Sequence, residues 1–102
     1  MIRKAFVMTL KPGCRDEYER RHNPVWPEMR EVLKGHGVRN YSIFRHGNEV
    51  FGYFESHDLE AAGAYMSRQE VNDRWQDAMA ELLEERVPDE GPPALEEIFR
   101  LD

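Results

Sequence analysis

The chain has 102 residues, a formal net charge of −6, and 40% hydrophobic against 33% charged side chains. That is enough for one domain, residues 1–102, and too little for a second core, and the composition is that of a globular chain rather than a disordered one. No apolar run nears the roughly 20 residues a membrane helix needs. The start is basic at Arg3 and Lys4, but Lys11-Pro12 follows with no small-residue cleavage site, so no signal peptide is expected.

The acidic balance, with a pI near 5.2, sets further limits. Phosphate binding needs clustered Lys and Arg, and Arg20-Arg21 is the one adjacent basic pair on the predicted helices, with acidic neighbours. Neither nucleic acid nor an anionic membrane is expected as a partner, which leaves a neutral small molecule. Cys14 is the single cysteine, so no internal disulfide or thiolate zinc cluster can form. A lone thiol fits a reducing, cytoplasmic setting.

Residues 2–10 alternate, with Ile2, Phe6, Met8 and Leu10 on one face and Ala5 and Val7 on the other. This predicts a strand that is apolar on both sides. Lys11-Pro12-Gly13 ends it, and a helical pattern runs to about Gly35, with Gly35 and Gly37 as stop signals. Residues 38–45 and 49–55 read as strands rich in Tyr, Phe and Ile. His46-Gly47-Asn48 between them reads as a hairpin turn. Asp58 suits the N-cap of a short helix through about Met66, and Ser67-x-x-Glu70 reads as a capping box opening a helix to about Leu83. The proline-rich stretch 88–93 must be a loop, and residues 94–101 read as a last strand.

The order β-α-β-β-α(α)-β predicts an α+β fold of the ferredoxin-like split βαβ kind, an antiparallel sheet with helices on one face. The other face then carries apolar side chains with nothing over them, which monomers rarely tolerate. A second copy is expected to cover it, giving a C2 homodimer of the dimeric α/β barrel type. The alternative is that the C-terminal segment folds back over that face.

Within the first helical pattern, Tyr18, His22, Val25, Trp26, Met29, Val32 and Leu33 share one face. Tyr18 and His22 lie one turn apart, close enough to act on one ligand. Pro24 removes a backbone donor and drives Asn23 out of helical geometry, so the first segment should end or kink beside His22. A carbonyl freed by that break needs a partner. Trp26 and Met29 read as core, whereas His22 stands between a packed core residue and a functional one.

The second stripe is Val71, Trp75, Ala78, Met79, Leu82 and Leu83, with Gln76 at its margin beside Asn72. An indole beside an amide suits a sugar, stacking on its C–H face and bonding its hydroxyls. No His-Glu-x-x-His, Gly-rich phosphate loop or Gly-x-Ser-x-Gly occurs. His36, His46 and His57 fall at predicted turns and form no ligand set with His22. Proton transfer or plain binding is the chemistry that remains.

The opening MIRKAFVM, the segment EYERRHNPVWPEM, the NYSIF strand, the DRWQDAM stretch and the ending LEEIFRL resemble the L-rhamnose mutarotase family over nearly the whole chain. The resemblance implies a homodimeric isomerase that interconverts the α and β anomers of L-rhamnose without metal or cofactor. It implies His22 at the family's proton-donor position and Tyr18 and Tyr41 at its sugar-contacting tyrosines. Trp75 matches the first of two consecutive substrate-contacting tryptophans, and Gln76 stands in place of the second. On this basis His22 is expected as general acid toward the ring oxygen, Tyr18 and Tyr41 as orienting or relaying groups, and Trp75 as a stacking plate. The competing classes are a cofactor-free dimeric α/β-barrel monooxygenase and a non-catalytic module that binds a small ligand.

Overall fold

The computed structural model describes residues 1–35, 37–88 and 91–101. His36 and the Asp89-Glu90 pair of the proline-rich loop, both assigned to turns above, lie outside the described residues. The elements are β1 (Ile2–Thr9), α1 (Arg15–Arg21), α2 (Pro27–Gly35), β2 (Arg39–His46), β3 (Glu49–Ser56), α3 (Leu59–Ser67), α4 (Glu70–Ala80) and β4 (Ala94–Leu95). The sheet order is β2-β3-β1-β4 and every pairing is antiparallel. This is the expected split βαβ plan.

Register sorts the side chains onto two faces. Phe6 pairs with Gly52, Met8 with Val50 and Lys4 with Phe54, so these residues look to one side. Ala5 pairs with Tyr53 and Val7 with Phe51, and these look to the other. The helices cover the first side. Leu10 and Val50 from the sheet join Tyr18, Met29, Val71, Trp75, Met79, Leu82 and Leu83 in one buried cluster. Both predicted helical stripes thus point into a common core, each fully buried aliphatic side chain adding roughly 1.5–3 kcal/mol. Leu10 and Leu83 meet at an isolated bridge. Glu84 N–H donates to the Thr9 carbonyl at 2.9 Å and Lys11 N–H to the Leu82 carbonyl at 2.8 Å, which fastens the end of α4 to the end of β1.

The hairpin between β2 and β3 turns through Gly47-Asn48, with His46 facing Glu49. Gly47 takes φ +62°, the sign that a II′ turn demands of its first central residue. Asp58 caps α3 by accepting from Ala61 N–H at 3.0 Å.

Three expectations are corrected. Ser67 does not open a capping box: it is the last residue of α3, and its hydroxyl donates back to the Ala64 carbonyl at 2.9 Å. Gln69 takes the N-cap place of α4 without a side-chain bond. That helix ends at Ala80 rather than near Leu83, and Leu82 and Leu83 reach the core from the turn beyond it.

The last strand shrinks to two residues, Ala94 paired with Phe6 and Leu95 with Ala5, antiparallel. The same register would set residues 96–98 opposite Lys4, Arg3 and Ile2, but the ladder stops at Leu95. Arg3 holds Glu97 in an ion pair at that corner. Beyond it Ile98, Phe99 and Leu101 are 91%, 78% and 86% exposed. Side chains that open are packed on nothing, so within one chain the C-terminal segment does not fold back over the bare sheet face.

Candidate active site

The break between α1 and α2 places His22. The last turn of α1 tightens, with His22 N–H donating to the Glu19 carbonyl at 3.1 Å and Asn23 N–H to the Arg20 carbonyl at 3.2 Å. The Tyr18 carbonyl, four residues before His22, takes the imidazole instead, with Nδ1 at 2.8 Å. The tightened turn frees this carbonyl, since His22 N–H has moved to Glu19, and the histidine's own ring satisfies it; the Arg20 carbonyl that Pro24 cannot serve is taken by Asn23 N–H. Asn23 is followed by a cis peptide to Pro24, and Pro27 opens α2, where a missing N–H costs nothing.

Arg21 fastens this corner to α4. Its Nη1 donates to the Ala78 carbonyl at 2.5 Å and its Nε to Glu17 at 2.7 Å. With α1 pinned there, the His22 ring meets Trp75 edge to face, centroids 5.1 Å apart and planes at 83°. Tyr18 packs against the same imidazole, centroids 4.3 Å apart and planes tilted by 35°. Trp26 in turn meets Trp75 at 5.0 Å and 86°. Trp26 packs as core, as expected, yet it backs the indole that walls the histidine.

Tyr41 comes from the sheet, and a bulge aims it. Arg39 pairs with Glu55 and Ser42 with Tyr53, so β2 spends one residue more than β3 between those pairs. Asn40 takes φ +53° there, the left-handed region that Asn tolerates better than most residues. Without the extra residue Tyr41 would share the face of Arg39. With it, Tyr41 turns to the helix side, stacked on Phe54 at 5.3 Å and meeting Phe6 edge-on at 6.2 Å. The Glu55 carboxylate braces the bulge, accepting from Asn40 Nδ2 and from the Tyr53 hydroxyl, each at 2.7 Å.

Between the helix layer and the sheet lie two adjoining hollows of about 790 and 1070 Å³, in or slightly above the range of small-molecule sites. Tyr18, His22, Tyr41, Trp75 and Gln76 line both. All five side chains singled out from sequence therefore stand at one junction, drawn from α1, β2 and α4. Gln76 is held by its neighbour one turn back, Nε2 donating to Asn72 Oδ1 at 3.4 Å. Sequence reasoning missed Phe6 and Phe54, which floor the first hollow, and Lys4 and Asp73 on its wall. Alternation along β1 carries a signal for Lys4, which falls on the same face as Phe6.

The electrostatics follow from burial. Loss of water pushes the Tyr18 phenol up to about 12, and the Tyr41 phenol is raised too, by loss of water and by the nearby Tyr18, although 41% of that residue is exposed. Both therefore keep their protons at neutral pH. Burial pulls His22 below the ordinary imidazole value, and the Tyr18 carbonyl opposes that only in part. A neutral imidazole and two neutral phenols can exchange protons there, in hollows whose walls also carry charged side chains such as Lys4, Asp73 and Arg39.

The profile of a protein family described as L-rhamnose mutarotase matches residues 3–101. The chain belongs to the L-rhamnose mutarotase family. An L-rhamnose mutarotase of Pectobacterium carotovorum is 47% identical over the full length of both chains. The crystal structure of an L-rhamnose mutarotase from Formosa agariphila superposes with a TM-score of 0.82 and 33% identity, covering all of both chains. Tetracenomycin F2 cyclase of Streptomyces glaucescens, a type-II polyketide cyclase, shares the fold at a TM-score of 0.65 and 19% identity, with 100% of this chain and 98% of that one covered. The family membership agrees with the resemblance drawn from sequence, and both solved structures agree with the expected fold class.

Proposed function

We propose that this chain is an isomerase interconverting the α and β anomers of L-rhamnopyranose by acid–base catalysed ring opening and closure. His22 exchanges the proton, Tyr18 and Tyr41 hold or relay at the sugar oxygens, Trp75 walls the apolar side and Gln76 meets a hydroxyl. The observation that carries this is the junction of both hollows, where one imidazole with a free edge and two neutral phenols line the same space.

Ring opening needs a proton removed from the anomeric hydroxyl and one delivered to the ring oxygen. Rotation about C1–C2 and closure complete the exchange. Positioned acid–base groups contribute about 10²–10⁴-fold in such steps. In NMR saturation transfer between the two anomeric protons, the protein should speed exchange and His22→Ala should lose a factor in that range. Exchange at the wild-type rate in His22→Ala removes His22 from the chemistry.

A C2 homodimer belongs to the same reading. Phe44, 64% exposed, stands beside Phe51, Tyr53, Val7, Ala5 and Leu95 on the bare sheet face, and the apolar tail at 98–101 extends from its edge. A second copy laid against that face would bury both. The cytoplasm is the proposed compartment, supported by the single, partly buried Cys14 thiol.

A further inference from the structure

The chain carries a net charge of −6, yet the wall of the second hollow carries Arg30, Lys34, Arg39 and Arg45 against one described carboxylate, that of Glu19. The sequence scatters these four cations and the fold gathers them. Arg30 and Lys34 lie one turn apart on α2. Arg39 folds back over the end of that helix, its Nη1 donating to the Lys34 carbonyl at 3.1 Å and to the Val38 carbonyl at 2.9 Å. Arg45 pairs with Val50, which pairs with Met8, so Arg45 takes the helix side of β2 together with Ile43.

None of the four has an acidic partner among the described residues, whose ion pairs use Arg3, Arg20, Arg21, Arg74 and Arg86. The chain has 20 Asp and Glu against 14 Lys and Arg, so carboxylates are not scarce. Four cations without one on a single wall are a local excess of positive charge, which Glu19 offsets only in part. A concave wall of one sign draws the opposite charge toward it. Guanidinium groups add a planar fork that matches a carboxylate.

Size points the same way. A single pyranose fills only part of a hollow of about 1070 Å³, since pockets of about 300–1,000 Å³ hold drug-sized ligands. The histidine, both tyrosines and Trp75 stand where this hollow adjoins the first, so a ring held among them leaves space toward the cations. The anomeric hydroxyl must stay free for ring opening, so any extension leaves the sugar from another of its hydroxyls.

We infer that the second hollow is a subsite for an acidic sugar: the protein accepts L-rhamnose as the reducing end of a disaccharide whose second ring carries a carboxylate, held by Arg30, Lys34, Arg39 and Arg45. This rests on the mutarotase reading above and widens its substrate class from a free neutral sugar to an aldobiouronic acid.

Three probes test it: an aldobiouronic acid with L-rhamnose at its reducing end, the same disaccharide with its carboxyl reduced to a hydroxymethyl group, and free L-rhamnose. Anomer exchange of the rhamnose unit is followed by saturation transfer for each. At low salt the acidic disaccharide should show a KM about tenfold below that of its neutral counterpart, the scale that several exposed charge pairs reach together. The advantage should shrink at about 1 M salt, where the Debye length falls to about 3 Å. The double variant Arg30→Gln with Arg45→Gln should lose most of it. Both residues are exposed and neither takes part in ring opening, so exchange of free L-rhamnose should stay at the wild-type rate, which also shows that the variant is folded.

Equal KM values for the acidic and neutral disaccharides overturn the inference and leave the mutarotase reading intact. So does exchange of free L-rhamnose without exchange of either disaccharide, and so does an advantage that the double variant keeps. If no sugar exchanges faster with the protein present, the mutarotase reading fails, and tryptophan fluorescence then decides the subsite. Tighter binding of the acidic disaccharide than of the neutral one, lost in the double variant, supports it, and equal binding overturns it.

Discussion

Phe6 lies across Gly52 so closely that a β-carbon at position 52 would stand 2.1 Å from Phe6 Cζ. The two residues pair across β1 and β3 and face the helices. Phe6 can occupy that place because its neighbour has no side chain. The ring then reaches both Tyr41 and Phe54, so the missing side chain at Gly52 shapes the floor of the cavity.

Gly52→Ala should therefore act twice. Forcing the buried Phe6 ring aside is an overpacking change that costs about 1–3 kcal/mol, read as a lower midpoint in urea denaturation with the slope unchanged. The displaced ring also disturbs Tyr41, so KM for the sugar should rise. A variant as stable as wild type, with unaltered KM, would show that Phe6 relaxes freely and that the floor does not depend on this contact.

The bulge in β2 gives a second expectation. Glu55 lies on the opposite face of the sheet from the cavity, yet its carboxylate holds Asn40, and Asn40 sets the twist that turns Tyr41 inward. Glu55→Ala should raise KM several-fold through Tyr41 while changing kcat less. The double variant with Tyr41→Phe should show a smaller effect of Glu55→Ala than the single one, because coupled residues are non-additive. Full additivity would separate Glu55 from Tyr41.

The bulge also marks where reading the sequence runs out. Tyr18, His22 and Trp75 were legible because a 3.6-residue period and a proline break are local signals. That the break would free a carbonyl could be expected for the same reason, but not that it would be Tyr18's, since that depends on the last turn of α1 tightening. Tyr41 could be placed on a strand, but which face it takes depends on one extra residue and on Glu55, fifteen positions on from Asn40. The Ser67 capping box failed because Ser67 bonded backward into α3, an equally local option. The last strand failed because its alternating pattern does not decide how far it stays in the ladder: pairing stops at Leu95 although β1 runs on to Ile2.

Stability should follow the site's protonation. His22 has a lower pKa folded than unfolded, so the unfolded chain takes up the proton first on acidification. Its contribution is whole above the unfolded value of about 6.5 and declines as pH falls from there toward the folded value. The tyrosines act in the opposite sense. Tyr18 is held up to about 12 when folded, so stability declines as pH rises from about 10 toward 12. Denaturant midpoints across pH should show both shoulders. His22→Gln should remove the acid-side shoulder and leave the alkaline one, and a shoulder that survives in His22→Gln belongs to another group.

The bare sheet face leads to the last expectation. Phe44 is flanked across the strand by Phe51, and together with Val7 and Tyr53 it forms an apolar surface rimmed by Arg3, Glu49 and Glu55. In a C2 pair each changed residue is met twice, so one substitution counts double. Burying a Phe contributes roughly 1.5–3 kcal/mol, and each 1.4 kcal/mol is tenfold in affinity. Phe44→Glu should therefore weaken the dimer by about 100-fold or more, shifting sedimentation from two chains to one at micromolar protein. Phe44 points away from the helix side, so the monomer should keep its far-ultraviolet circular dichroism. Removing residues 98–101 should weaken association as well, since the tail's apolar side chains have no other partner. A wild-type protein that sediments as one chain at every concentration would leave that face to a different occupant.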